Sequence, residues 1–468
     1  MGQSTWDEPR RSPRRIPLSE PDHALPRVAV NPLRRAFDKR TPVMPWRDKR
    51  PVPEADVPAI WQRLMETPMA VGPCLAYVHV PFCANHCLFC GFYRNRYQRD
   101  DSARYVQAII DELCREADAS QWQEGIVEAV YLGGGTPSAL EPPDLVRLIE
   151  ALRQELPLAP DAEFTVEGRI LHFDGEKVDA CLDAGVNRLS IGVQSFDTRV
   201  RQQQGRRATG EAAERYIESL VARDRAAVVI DLMYGLPGQS QRVWQQDLET
   251  SLALAPDGLD VYCLSMFPGT PLHQAVGNGR VVPPASLECR AEMYGMASEQ
   301  LAAAGWQQIS NSHWAATPRE RNAYNRLIKT GATTLAFGSG AGGKRGSYSY
   351  TLDGDLEGYL STVNRGRKPL AGMLQGDALQ PLRDVVCGDL EVGALDLQRL
   401  PAVMSAAADA LPELRHLVDV WQRAGLAERH GDRVTLTTAG CFWSSNLIAG
   451  FNQRLASLTA VSSDGESS

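Results

Sequence analysis

The sequence predicts an α/β chain built on an open, incomplete (β/α)6 barrel, followed by a smaller helical, winged-helix-like C-terminal part. Three observations carry that expectation. Short apolar runs alternate with amphipathic helical stretches over some 200 residues, as a parallel sheet with crossover helices requires. The alternation supplies six units, which suit an open barrel better than a closed eight-fold one. Each strand also carries a glycine or polar feature toward the same end, the C-terminal end where such folds keep their chemistry.

The elements follow in order. LAYVHVP (75–81) is the first strand, and three cysteines come after it. Tyr105, Ile109, Ile110, Leu113 and Ala117 recur at helical spacing over 101–119. VEAVYLGGG (127–135) is the second strand, ending in glycine, and 144–156 is a helix with Leu145, Leu148, Ile149 and Leu152 on one side. EFTVEGRI (163–170) and RLSIGVQSF (188–196) are strands three and four, bearing Glu167 and Gln194 near their ends. A helix over 211–223 leads to AVVIDLMYGLP (227–237) with Asp231, and LDVYCLSMFPG (259–269) with Ser265 completes six strands. The glycine-rich FGSGAGG (337–343) closes this region. Beyond it, 411–424 reads as helix, 426–437 as a hairpin turning at Gly431–Asp432, and 439–455 as helix. The expected division is 1–70 as a basic, proline-rich arm and lead-in helix, 71–345 as the core, 346–455 as the C-terminal domain and 456–468 as a disordered tail.

Composition narrows the class. The chain has 468 residues, 43% apolar and 23% charged, typical of a globular protein. No apolar run reaches the roughly 18 residues of a membrane span, and no secretory signal opens the chain, so a cytoplasmic protein is expected. A net charge of −8 argues against general nucleic-acid binding. Residues 1–50 differ, with 12 Lys/Arg against 6 Asp/Glu and 8 of the 30 prolines. They read as a basic arm lying over the body or touching an anionic partner.

Of ten cysteines, only Cys83, Cys87 and Cys90 are clustered, in CANHCLFC. Three thiolates on a tight loop can hold three irons of a [4Fe–4S] cube and leave the fourth iron open. An amine and a carboxylate, such as the methionyl end of S-adenosylmethionine (SAM), can chelate that iron, and one electron then breaks the sulfonium C–S bond to give a 5′-deoxyadenosyl radical. The alternative is zinc completed by His79 or His86. That site would leave the features on the five other strands unexplained.

YVHVPFCANHCLFCGF, GGGTPS (133–138), GVNRLSIGVQSFD (185–197) and DLMYGLPGQ (231–239) together resemble the radical SAM enzymes, in particular the group of the oxygen-independent coproporphyrinogen III dehydrogenases. The resemblance spans about 70–345 and implies a TIM-barrel-like radical SAM core, a [4Fe–4S] cluster, one or two SAM molecules and a tetrapyrrole substrate. It implies Cys83, Cys87 and Cys90 as cluster ligands and Tyr77, Phe89 and Gly91 as SAM contacts. Gly134, Gly135 and Thr136 would receive the methionyl amine. Glu167 would accept near the sulfonium or ribose and share in catalysis. Gln194, Arg206 and Asp231 would hold the adenosyl part and the carboxylate, and Ser265 would make a backbone contact. The plain alternative for Glu167 and Asp231 is an ion pair with Arg169 or Arg188.

Within that group the chain departs from the dehydrogenases, which carry C-G-C where Cys90 is followed by Gly91 and Phe92. It also departs from the heme-trafficking relatives, whose His-Asn-x-x-Tyr-Trp segment is here ERNAYN (320–325). CGFYRN (90–95), AFDKRTPVMPWR (36–47), FGSGAGG and LTTAGCFWSSNL (436–447) are similar instead to the anaerobic heme-utilisation enzymes. These methyltransferases of the anaerobilin synthase type use SAM to methylate and open heme and release its iron. Heme as substrate and a reductant such as flavodoxin or ferredoxin are thereby implied. GSGAGGKRGSYSY (338–350) offers a tetrapyrrole slot, with Lys344 and Arg345 for propionates beside Tyr348 and Tyr350, or else an ordinary barrel-closing loop. His313, His416 and Met373 are candidate iron ligands, though each reads more readily as a plain surface or core residue.

Overall fold

A computed structural model of the chain describes residues 25–43, 48–69, 72–117, 125–403 and 410–465. The six expected strands form as β1 (Cys74–Val80), β2 (Val127–Gly134), β3 (Leu158–Gly168), β4 (Arg188–Gln194), β5 (Ala227–Tyr234) and β6 (Gly258–Cys263). They pair in that order and all in parallel. Their crossover helices are α1 (Asp101–Ala117), α2 (Pro142–Glu155), α3 (Gly175–Asp183), α4 (Gly210–Val221) and α5 (Gln241–Leu254). Side-chain oxygens of Asp174, Thr209 and Ser240 accept from free amides of the first turns of α3, α4 and α5, which fixes where each helix starts.

Strand alternation separates two layers. Ala76, Val78 and Val80 of β1 join the main core under the helices, whereas Leu75 and half-buried Tyr77 face the barrel interior with Ala129 and Tyr131 of β2. After α6 (Leu287–Ala303), the short α7 (Ala323–Lys329) plugs the floor of the barrel. Tyr324 of α7 stacks on Tyr131 at 4.7 Å, and Glu163 of β3 accepts from the Ala323 and Tyr324 amides.

A seventh parallel strand, β7 (Thr333–Phe337), pairs with the free edge of β1. The sequence reading took only the following glycines as the closure of this region. A five-residue strand running straight into a glycine turn carries too little periodicity to stand out. Antiparallel strands extend both edges, 307–310 and 313–315 beyond β6, and 342–345, 348–352, 370–375 and 50–51 beyond β7, giving a 13-stranded sheet. The barrel therefore stays open.

In the C-terminal part a helix over Ala410–Arg423, a hairpin of Ala427–His430 and Arg433–Leu436, and helices Thr438–Phe442 and Ser444–Gly465 follow the expected order. Ala394–Asp396 adds a third strand to the hairpin. The last helix runs through most of the residues expected as a tail, because the Leu- and Ala-containing stretch 455–461 extends it. Residues 57–66 form the expected lead-in helix. Of the basic arm, residues 1–24 lie outside the described residues. Residues 32–41 are held by the C-terminal helices: Trp443 Nε1 donates to the Pro32 and Leu33 carbonyls, and Asn446 Nδ2 donates to the Lys39 carbonyl. No helix among the described residues is long and apolar enough to cross a membrane.

Candidate active site

The cysteine loop leaves the C-terminal end of β1 and is tied down on all sides. Phe82 packs edge-on against Tyr105 of α1 at 5.0 Å. The Leu88 amide donates to the Gln204 carbonyl, the Leu272 amide to the Leu88 carbonyl, and Asn85 Nδ2 to the Gly205 carbonyl. Cys83 and Cys87 are buried and Cys90 is half-buried. Each thiol meets one polar group. Cys83 Sγ lies 3.2 Å from the Thr136 hydroxyl, Arg169 Nη2 donates to Cys87 Sγ at 3.3 Å, and the Phe92 amide donates to Cys90 Sγ at 3.4 Å.

The glycines after β2 are required by packing. The Gly135 amide donates to the Val80 carbonyl at 2.8 Å, and a Cβ at Gly135 would sit 2.7 Å from the Phe82 carbonyl oxygen. Gly134 has φ +106°, and a Cβ there would lie 2.5 Å from the His79 ring. The glycine turn thus presses β2 against the root of the cysteine loop. Both histidines proposed for zinc are otherwise engaged. His79 Nδ1 is 2.9 Å from the Tyr77 hydroxyl, and burial pulls its pKa down to about 4. His86 Nε2 is 3.1 Å from the Cys90 carbonyl, and its ring stacks on Tyr93 at 4.3 Å. Among the described residues no three His, Cys, Asp or Glu side chains converge tightly enough to hold a single ion.

The facing wall comes from β3, β4 and β5. Glu167 accepts from the Tyr131 hydroxyl at 2.7 Å and from the Gly134 amide at 3.2 Å, and burial raises its pKa. Asp231 is raised to about 7, first by burial and then by the carboxylates of Asp260 and Glu167. Arg206 donates to the Gly192 carbonyl; burial pulls it down to about 10, so it remains a cation at neutral pH. Gln194 has φ +67° at a register shift between β4 and β5. This is backbone strain of the kind that gathers at functional sites. The Gln194 Oε1 and Arg206 Nε atoms are buried without a hydrogen-bond partner. Two crowded acids, a buried guanidinium and an unsatisfied amide suit a ligand carrying both a cationic centre and a carboxylate.

Ten expected residues, Cys83, Cys87, Phe89, Cys90, Gly135, Thr136, Glu167, Gln194, Arg206 and Asp231, line one cleft that opens to solvent. Tyr77, Gly91, Gly134 and Ser265 do not line it. Gly134 adjoins it through Glu167, Tyr77 bonds His79 away from it, Gly91 is exposed with the Phe267 ring 4.0 Å from its side-chain position, and Ser265 is exposed after β6. The cleft also takes in Asn85, Tyr93, Gly168, Arg169, Ser190 and Gly192. Ser190 and Gly192 precede Gln194 at the two-residue period of a strand, and Arg169 follows Glu167 at the same period. That alternation was the signal that could have found them.

Other expectations are corrected. Arg169 and Arg188 form no ion pair with Glu167 or Asp231: Arg169 turns to Cys87 and the Asn85 carbonyl, and Arg188 Nε bonds both Glu320 oxygens. The slot of Lys344, Arg345, Tyr348 and Tyr350 is not at the cleft. Lys344 pairs with Thr334, near the start of β7 and so at the opposite end of the parallel strands. Lys344 is bound to Asp384, Arg345 to the Thr67 carbonyl, and Tyr350 is core. His313 is fully buried between Asp260 (2.8 Å) and Glu320 (3.2 Å), Met373 is core, and His416 is exposed on the 410–423 helix.

Comparison with known proteins gives the family. The profile of the radical SAM superfamily matches residues 77–250. The chain is 43% identical over 425 residues to anaerobilin synthase of Escherichia coli O157:H7, covering 91% of this chain and 94% of that protein. It is 31% identical to the heme chaperone HemW of Escherichia coli K12, over 68% of this chain and 80% of that one. Its fold is similar to that of coproporphyrinogen III oxidase from Escherichia coli, with a TM-score of 0.71 at 23% identity, covering 84% of this chain and 93% of that one.

Proposed function

The chain belongs to the radical SAM superfamily, and from that premise we propose that it opens heme without oxygen, by SAM-dependent methyl transfer, ring opening and release of the iron. One observation carries this reading above its relatives: the chain is 43% identical to anaerobilin synthase over nearly the whole of both chains, against 31% over 68% of this chain for the heme chaperone and 23% for the coproporphyrinogen III oxidase of similar fold.

The cleft residues fit the cofactors of the superfamily. Cys83, Cys87 and Cys90 would hold a [4Fe–4S] cluster by three irons, leaving one iron for the methionyl amine and carboxylate of SAM. That cluster, when bound, supplies the electron that breaks the sulfonium C–S bond. Thr136 and the glycine turn would orient the methionyl amine. Arg206 would pair with the carboxylate, and the unsatisfied Gln194 amide would bond the adenosyl part. Glu167 and Asp231 would face the sulfonium and ribose, where a bound cation relieves the repulsion between them. Glu167 is held for this by Tyr131 and the Gly134 amide. A one-electron donor such as flavodoxin or ferredoxin would complete the system.

The test is product analysis. The cluster is reconstituted without oxygen, and reductant and SAM are added with heme or with coproporphyrinogen III. A methylated, iron-free linear tetrapyrrole by mass spectrometry is the expected product from heme. Loss of two carboxylates from coproporphyrinogen with heme untouched would instead make the chain a biosynthetic oxidase. Stoichiometric heme binding without product would make it a chaperone.

A further inference from the structure

Arg169 has no place in the SAM-binding set, yet it is the residue that reaches a candidate cluster ligand with a full charge. Its Nη2 donates to Cys87 Sγ at 3.3 Å while Nη1 donates to the Asn85 carbonyl at 3.4 Å, so the guanidinium bridges the cysteine loop. Of the three polar groups that meet the ligand thiols, the Thr136 hydroxyl and the Phe92 amide are neutral and Arg169 is cationic. A guanidinium keeps its proton at every working pH. Cys87 is 6% exposed, so water screens the contact weakly. Arg206 also acts on Cys87 electrostatically, but its Nη1 is tied to the Gly192 carbonyl on the opposite wall.

One-electron reduction adds a negative charge to an iron–sulfur cluster, and hydrogen bonds and positive charge at its sulfurs favour the reduced state. We propose that Arg169 is a positioning residue that raises the reduction potential of the cluster through Cys87, bringing it within reach of the electron donor. The proposal rests on the cluster assignment and not on the tetrapyrrole reading, because its test contains no tetrapyrrole.

The full chain and its Arg169→Lys, Arg169→Gln and Arg169→Leu variants are reconstituted without oxygen and assayed for iron and sulfide. Each is then titrated with dithionite and mediators while the reduced cluster is followed by electron paramagnetic resonance. SAM affinity is measured in parallel. The lysine variant keeps the charge and stays near wild type. The glutamine and leucine variants load a cluster but reduce at more negative potential, with the reduced-to-oxidised ratio at a fixed potential falling about tenfold, roughly 59 mV for a one-electron couple. Equal potentials across the series would overturn the proposal. So would weakened SAM binding at unchanged potential, which would make Arg169 a SAM ligand. Should the leucine variant fail to assemble, the uncharged but polar glutamine variant decides by the same criteria.

Discussion

Asp231 shows how the cleft is poised for a cation. Its carboxyl is raised to about 7 by burial and then by Asp260 and Glu167, so it holds a proton more readily than an ordinary carboxylate. A bound sulfonium favours the carboxylate, so binding releases a proton and affinity must fall as pH drops through about 7. Calorimetry from pH 6 to 8 should record that loss, and Asp231→Asn should bind more weakly with a flat profile. Cys87→Ala, by contrast, should fold normally by circular dichroism yet lose the brown chromophore and SAM cleavage. Wild-type cleavage in that variant would remove the cluster from Cys87. At this scale the thiols were legible because three cysteines at one spacing admit few chemistries. Arg169 was missed although it follows Glu167 at the two-residue period of a strand, and the strained backbone of Gln194 was not legible, because the shift at Gly192–Gln194 exists only once the two strands pair.

Strands β1 to β6 were legible because apolar runs, glycine ends and helical spacing all agreed. β7 and the flanking antiparallel strands were not, being short and stabilised by edges that only the folded sheet supplies. The buried ion network at the floor of the barrel escaped for the same reason. It joins Arg188 of β4, Asp260 of β6, His313 and Glu320, which lie 132 residues apart at its widest direct bond. Burial alone would push His313 down, but the Asp260 and Glu320 carboxylates outweigh it and hold the imidazolium up to about 9. Glu320, against burial, is held at about 2 by Arg188 and His313. The signs then follow. The His313 contribution is complete below about 6.5 and lost as pH rises through 9, while that of Glu320 is present above about 4.5 and lost as pH falls toward 2. Urea unfolding should show stability falling by about 3 kcal/mol between pH 6.5 and 9.5. His313→Leu should be less stable at pH 6 and lack the decline. A parallel decline in that variant would place the titration elsewhere.

On the scale of the whole molecule, the N-terminal segment and the C-terminal helices form one unit against α6. Phe37 packs on Trp443 at 5.3 Å, Arg40 lies 4.9 Å over the Phe442 ring, and Arg35 pairs with Glu288 of α6. Trp443→Ala removes a fully buried ring and both carbonyl bonds, which should cost about 3–5 kcal/mol by denaturant unfolding. It should also make residues 25–43 more open to proteolysis. AFDKRT and CFWSSN were singled out in the sequence only by resemblance. Their side-by-side packing gives that resemblance a physical basis, since one stretch is the docking partner of the other. Of the two readings of GSGAGGKRGSYSY, the tetrapyrrole slot fails because strand pairing carries Lys344, Arg345 and the two tyrosines to the opposite end of the barrel. The central claim is that the cluster and SAM of this cleft open heme, with a SAM methyl group, from a molecule other than the one cleaved to the radical, carried into the product. Anaerobic turnover with methyl-deuterated SAM tests it most directly, with the linear tetrapyrrole weighed by mass spectrometry. The account predicts an iron-free product that carries the label; an unlabelled product, or heme recovered intact while SAM is consumed, would contradict it.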